Sequence, residues 1–245
     1  MKMKKLSNRF SLFCMEHRSL GIPNLLTHIA AFSWLVYLVL YYSFYDTFLL
    51  ELFCFDSALV LKGEAWRVFT CLFTSVYFFP GFFVVSAYYA IVLALGRRIE
   101  KEIGTLRLNA FYFSTLLLLV VFALFPGHSP EIQYTYLNQL RIDYMFDISL
   151  HLNLSLLLVY ATILPYKRIR LFFLIPIKGA FLALPYFLLS FSTLLFPMVF
   201  STYNLYPLAV LIGYFFFFGK DVVGLIPTPI QAAFRDVFSK TSSHT

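Results

Sequence analysis

Charge is scarce in this chain: only 13% of its 245 residues are Asp, Glu, Lys or Arg, against about 25% in a soluble domain. That shortage, beside 60% hydrophobic residues and a mean hydropathy of +0.79, argues against an ordinary cytosolic enzyme. The same apolar excess excludes intrinsic disorder. Glycine is short as well, with 10 residues beside 31 Phe and 17 Tyr, which argues against a barrel of short strands and glycine turns. The three cysteines, Cys14, Cys54 and Cys71, have no metal spacing and form no evident framework. They read as free thiols, with a Cys54–Cys71 bridge left open. Gly-rich phosphate loops, HExxH and CxxC are all missing, so no metal and no cofactor is expected. These absences leave an all-α polytopic membrane protein.

A helix needs about 20 mainly apolar residues to cross roughly 30 Å of hydrocarbon. Apolar stretches lie at 28–44, 68–95, 108–125, 146–164, 171–200 and 205–218. The second and fifth are too long for one span, and both contain proline. Pro80-Gly81 divides the second, leaving a crossing that ends at Leu95. Pro176 and Lys178 place the start of the fifth near Gly179. The first stretch is not a secretory signal, since it is close to a full span and no small-residue cleavage site follows it. Six spans result, and an even number puts both termini on one side.

The basic residues orient them. With the N-terminus in the cytoplasm, only Lys62, Arg67 and Arg141 of the 19 Lys and Arg fall outside, the asymmetry that the positive-inside bias predicts. The net charge of +7 therefore reports topology and contact with the lipid bilayer rather than nucleic acid. The organisation expected is a cytoplasmic segment over 1–26, a six-helix membrane domain over 27–220 and a cytoplasmic tail over 221–245. A bacterial inner membrane and an endoplasmic reticulum membrane both fit. No internal repeat or matched pair of broken helices points to an inverted-repeat transporter.

The first exterior loop, 46–67, ends Gly63-Glu64-Ala65-Trp66-Arg67. Trp66 and Arg67 suit a loop anchor at headgroup level. After the second span comes a charged cytoplasmic turn, Gly96-Arg97-Arg98-Ile99-Glu100-Lys101-Glu102-Ile103-Gly104. Together with Pro165-Tyr166-Lys167-Arg168-Ile169-Arg170 between the fourth and fifth spans, these phrases resemble the rhomboid superfamily over about residues 25–220. That superfamily includes rhomboid proteases and the catalytically dead derlins. The resemblance implies a six-helix rhomboid-like bundle with a membrane-dipping first loop.

It also implies where catalysis would reside. A rhomboid protease carries a serine in Gly-x-Ser-Gly on helix four and a histidine on helix six, with oxyanion donors from a His and an Asn on helix two. Here helix four offers Ser149, without the flanking glycines. On helix six Ala209 and Gly213 supply a small-residue packing face, but the histidine position holds Tyr206. Helix two, 82–95, has neither His nor Asn, and Tyr88 falls near the asparagine position. A serine without a base in reach is inert, and a tetrahedral intermediate needs aimed donors. The chain thus reads as a rhomboid-like pseudoprotease that binds the transmembrane segments of other membrane proteins, in quality control or scaffolding. An alternative is an active intramembrane serine protease using Ser149, for which the Tyr206 hydroxyl is the only polar candidate at the expected base position.

Helix four carries an unusual density of polar residues: Asp147, Ser149, His151, Asn153 and Ser155. Asp147, His151 and Ser155 recur at i, i+4 and i+8, and such neighbours touch on a helix. The expectation is a polar face turned into the bundle. An alternative is a small channel or proton-coupled transporter using Asp147 and His151, since His titrates near neutrality. His28 reads as an interfacial residue and His128 as loop, while the aromatic run 214–218 reads as packing or lipid-facing surface. The sixth apolar run has 14 residues, about 21 Å, and predicts local thinning of the bilayer beside it.

Overall fold

Long runs of Leu, Phe, Val and Ala interrupted by few glycines favour helices, and helix dominates the computed structural model. It describes residues 13, 17, 20–42, 52–53, 55–73, 82–124, 148–171, 175–188 and 206–225. The helices are α1 (Leu25–Tyr42), α2 (Ser57–Leu61), α3 (Arg67–Thr70), α4 (Phe82–Ile103), α5 (Thr105–Ala123) and α6 (Ile148–Ile163), then α7 (Gly179–Leu188) and α8 (Tyr206–Leu225). A 3-10 turn, Cys71–Phe73, follows α3, and α7 opens in another over Gly179–Leu182. Among the described residues, α5 alone is long and apolar enough to cross a membrane, while α6, α7 and the apolar parts of α1 and α8 are shorter. Asp147, Arg141, His128, Pro80-Gly81, Cys14, Cys54, residues 1–12 and the tail beyond Leu225 lie outside the described residues.

α6 is the axis of the bundle. Twelve of its 16 residues are buried, and it packs against α4, α5, α8, the opening turn of α7 and the Cys71–Phe73 turn. A helix covered all round must be interior. The Cys71–Phe73 turn also packs on α1, so this turn lies inside the bundle. Asp56 caps α2 through Oδ1, which accepts from the N–H groups of Ala58 and Leu59 at 2.9 and 3.1 Å. Cys71 is buried, and its thiol donates to the Val68 carbonyl at 3.2 Å.

Two features differ from the sequence expectation. The chain is not purely helical: β1 (Arg168–Leu171) and β2 (Ile175–Lys178) form an antiparallel hairpin, with Arg168 opposite Lys178 and Arg170 opposite Pro176. Four residues of alternating type are enough for a strand, and Pro176 is tolerated because both strands are edges. The second difference is the charged turn over 96–104. Arg, Glu and Lys are good helix formers, so α4 continues through Ile103 and the break is confined to Gly104. There φ is +84°, which glycine adopts at little cost, and its N–H donates to the Glu100 carbonyl at 2.9 Å.

α8 is also longer than its apolar run. Its 20 residues reach about 30 Å, so helix length gives no basis for local thinning of the bilayer; only the apolar band stops, at Gly219. It crosses α5 at Gly213, where a Cβ would come 2.8 Å from Thr115 Oγ1 and 3.4 Å from Leu118 Cδ1. Ala209, one turn earlier, is fully buried. Gly213→Ala should therefore cost about 1–3 kcal/mol, as overpacking does. Adding Thr115→Ala, which removes the nearest atom, should recover most of that loss. A double-mutant cycle read by thermal unfolding in detergent checks it, and simple additivity of the two changes would contradict it.

Candidate functional site

The polar residues of α6 do not share a face. Successive residues turn by about 100°, so Ser149 and Asn153 lie on one side and His151 and Ser155 on nearly the opposite one. All four are buried. The single polar face expected from the sequence is thus two faces, and the reason is that α6 is enclosed on every side.

On the first side, Asn153 bridges two helices. Its Nδ2 donates to Tyr88 Oη on α4 at 2.9 Å, and Tyr112 Oη on α5 donates to its Oδ1 at 3.4 Å. Tyr88, which falls near the asparagine position of the resemblance, thus accepts an interhelical bond from α6. Ser149, one turn before Asn153, is 2% exposed. On the second side, the His151 ring lies against Tyr206 of α8, with centroids 5.8 Å apart. Tyr206 is therefore a neighbour of His151. Nearer the other end of α6, the Thr162 and Tyr214 hydroxyls are hydrogen-bonded to each other. The sequence does not single out that pair, although Thr162 follows Ser155 by two turns.

Trp66 and Arg67 separate. Trp66 is 49% exposed and Arg67 only 6%, and Arg67 Nε donates to Glu64 Oε2 at 2.6 Å. The pair therefore combines an outward indole with an inward guanidinium held by a carboxylate one turn back. Glu64 was not among the residues singled out from sequence; the i, i+3 spacing is the signal that could have found it.

The phrase around Gly96 acts through packing and through one carboxylate. A Cβ on Gly96 would meet Leu26 Cδ1 at 2.7 Å, so glycine lets α1 and α4 approach closely. Arg97 is exposed. Glu100 Oε1 accepts from the Asn24 N–H at 3.0 Å and from Thr105 Oγ1 at 2.9 Å, tying the start of α1 and the start of α5 to the end of α4. Two ion pairs lie at the same end: Lys167 with Glu102 at 2.7 Å and Arg107 with Asp221 at 2.8 Å. Exposed pairs of this kind contribute about 0–1 kcal/mol each, so they mark position more than they stabilise.

No family model, no curated protein and no solved structure matches this chain. Among the described residues no three His, Cys, Asp or Glu side chains gather as a metal site.

Proposed function

We propose that the chain is a multi-pass membrane protein with a rhomboid-like bundle, inactive as a protease, that binds transmembrane segments of other proteins. Exposed apolar residues on successive helices, with small polar residues between the helices, carry this reading. Phe32, Leu35 and Val39 on α1, Leu117 and Val121 on α5, and Leu208, Ile212, Phe215 and Phe216 on α8 are all exposed. Inside lie Ser33, Thr115, Ser149, His151, Asn153, Ser155 and Thr162. A soluble monomer rarely exposes apolar surface on helix after helix, whereas membrane bundles put small and polar residues between helices and apolar ones toward lipid.

Charge supports the same orientation. The ties made by Glu100, Glu102 and Arg107 collect the starts of α1 and α5, the ends of α4 and α6, and the Asp221 region of α8 at one end. Those are the segments the Lys/Arg asymmetry assigns to the cytoplasm. The missing glycines beside Ser149 and the tyrosine at 206 in place of a histidine support the loss of protease chemistry, because a serine without a base in reach is inert. The exposed ridge of α8, Leu208, Ile212, Phe215 and Phe216, is the client-facing surface in this reading.

Photocrosslinking residues at Ile212 and Phe216, with Leu117 and Val121 of α5 as controls, test it in native membranes. Protein adducts are expected at the α8 positions, and lipid alone at the α5 positions. Lipid alone at all four would contradict client binding. Fluorophosphonate labelling of purified protein should give no signal above Ser149→Ala, beside an active serine hydrolase as positive control. Labelling abolished by Ser149→Ala would overturn the pseudoprotease assignment.

A further inference from the structure

The hairpin between α6 and α7 places like charges together. Arg168 and Lys178 are direct cross-strand partners, an arrangement that brings Cβ atoms within about 5.5 Å and is unfavourable for two cations. Both side chains are exposed, and among the described residues neither forms an ion pair. The neighbouring charges do not relieve them. Glu102 is engaged with Lys167, and Glu100 is turned toward Asn24 and Thr105. Arg98 adds a third cation. Its Nη1 donates to Tyr160 Oη at 3.4 Å, and the Tyr160 ring abuts Gly179, where a Cβ would be 3.1 Å from Cε1.

Directly beside this cluster the surface turns apolar, with Phe181 and Leu184 of α7 exposed at 61% and 57%. The strands close onto the bundle through the Gly179 N–H to Lys167 carbonyl bond at 2.8 Å and the Ala180 N–H to Pro165 carbonyl bond at 3.0 Å. The cations are thus fixed at the level where exposed apolar helix begins.

We propose that the base of this hairpin is a headgroup site for an anionic phospholipid of the adjacent leaflet. Arg168 and Lys178 receive the phosphate, and the acyl chains lie along Phe181 and Leu184. An anion between the two cations converts their repulsion into two attractions, and basic clusters at a helix end are the usual recognition element for acidic headgroups. The proposal rests on the membrane reading above, but its test does not depend on which side the hairpin faces.

The full chain, purified in detergent, would be titrated with dioleoylphosphatidylglycerol and dioleoylphosphatidylcholine, and bound lipid counted by native mass spectrometry. Wild type should prefer the glycerol lipid. Arg168→Gln with Lys178→Gln should lose that preference roughly thirtyfold, a factor of about five per surface cation. The charge-matched control Lys62→Gln with Lys101→Gln should retain it, as should the charge-keeping swap Arg168→Lys with Lys178→Arg. Equal binding of the two lipids by wild type, equal loss in the control pair, or loss in the charge-keeping swap would each overturn the site. Displacement of the lipid by millimolar inorganic phosphate would show a free-anion site instead. Labelling of Lys178→Cys from the exterior would defeat the assigned orientation while leaving a measured lipid preference intact.

Discussion

Gly179→Ala should lower the unfolding temperature of the protein markedly. A Cβ at that position would lie 2.1 Å from the carbonyl oxygen of Leu164 and 3.1 Å from Tyr160 Cε1. The first of these is backbone at the end of α6, held by the Leu164 N–H to Tyr160 carbonyl bond at 2.9 Å. No side-chain rotation can relieve it. Either the end of α6 or the start of α7 must move, and the two bonds that close the hairpin are lost with the movement. The expected cost is at or above about 3 kcal/mol, the upper end of ordinary overpacking, against a total stability of about 5–15 kcal/mol. Gly219→Ala is the internal control, because a Cβ there meets nothing nearer than Phe215 Cδ1 at 3.8 Å. That change should be neutral, or stabilising by up to about 1 kcal/mol through helix propensity. Thermal unfolding in detergent separates the two, and a Gly179→Ala protein that melts beside wild type would refute the contact.

Asn153→Leu should be the most damaging change among the polar residues of α6. It removes the bond to Tyr88 and the bond from Tyr112 together, and Tyr112 is fully buried. Interhelical hydrogen bonds in membranes average only about 0.6 kcal/mol. Orphaning a buried hydroxyl adds about 1–3 kcal/mol, so the two lost bonds and the orphan together should cost about 2–4 kcal/mol. The diagnostic is rescue: Asn153→Leu with Tyr112→Phe removes the orphan and should regain much of the loss. Were the double variant less stable than Asn153→Leu alone, Asn153 would not be acting through Tyr112.

Much of the helical framework was legible in sequence because apolar runs and charge report it directly. The runs at 28–44, 108–125 and 146–164 overlap α1, α5 and α6 closely, and the start of α7 at Gly179 followed from Pro176 and Lys178. Boundaries set by charge were less legible. Arg97, Arg98 and Lys101 look like a loop when hydropathy is the guide, yet their helix propensity carries α4 on to Ile103 until Gly104 ends it. Lys220 and Asp221 hide the last turns of α8 in the same way. The β-hairpin escaped because its strands are four residues each and adjoin an apolar run. The candidate site was half legible. Density of polar residues marked α6, but period alone could not tell a helix with one polar face from a helix buried all round, which needs its neighbours. Nor could it show that Tyr206 meets His151.

In the membrane reading the charged end of the bundle is cytoplasmic and its exposed apolar ridges face lipid. Single cysteines in a background free of Cys14, Cys54 and Cys71 test it most directly, at Lys62, Lys101, Lys178 and Phe216, probed in intact cells and in inverted vesicles with a membrane-impermeant maleimide. The account predicts labelling at 62 only from the exterior, at 101 and 178 only from the cytoplasmic side, and none at 216. Labelling of 62 and 178 from the same side, or of 216 from either, would contradict it.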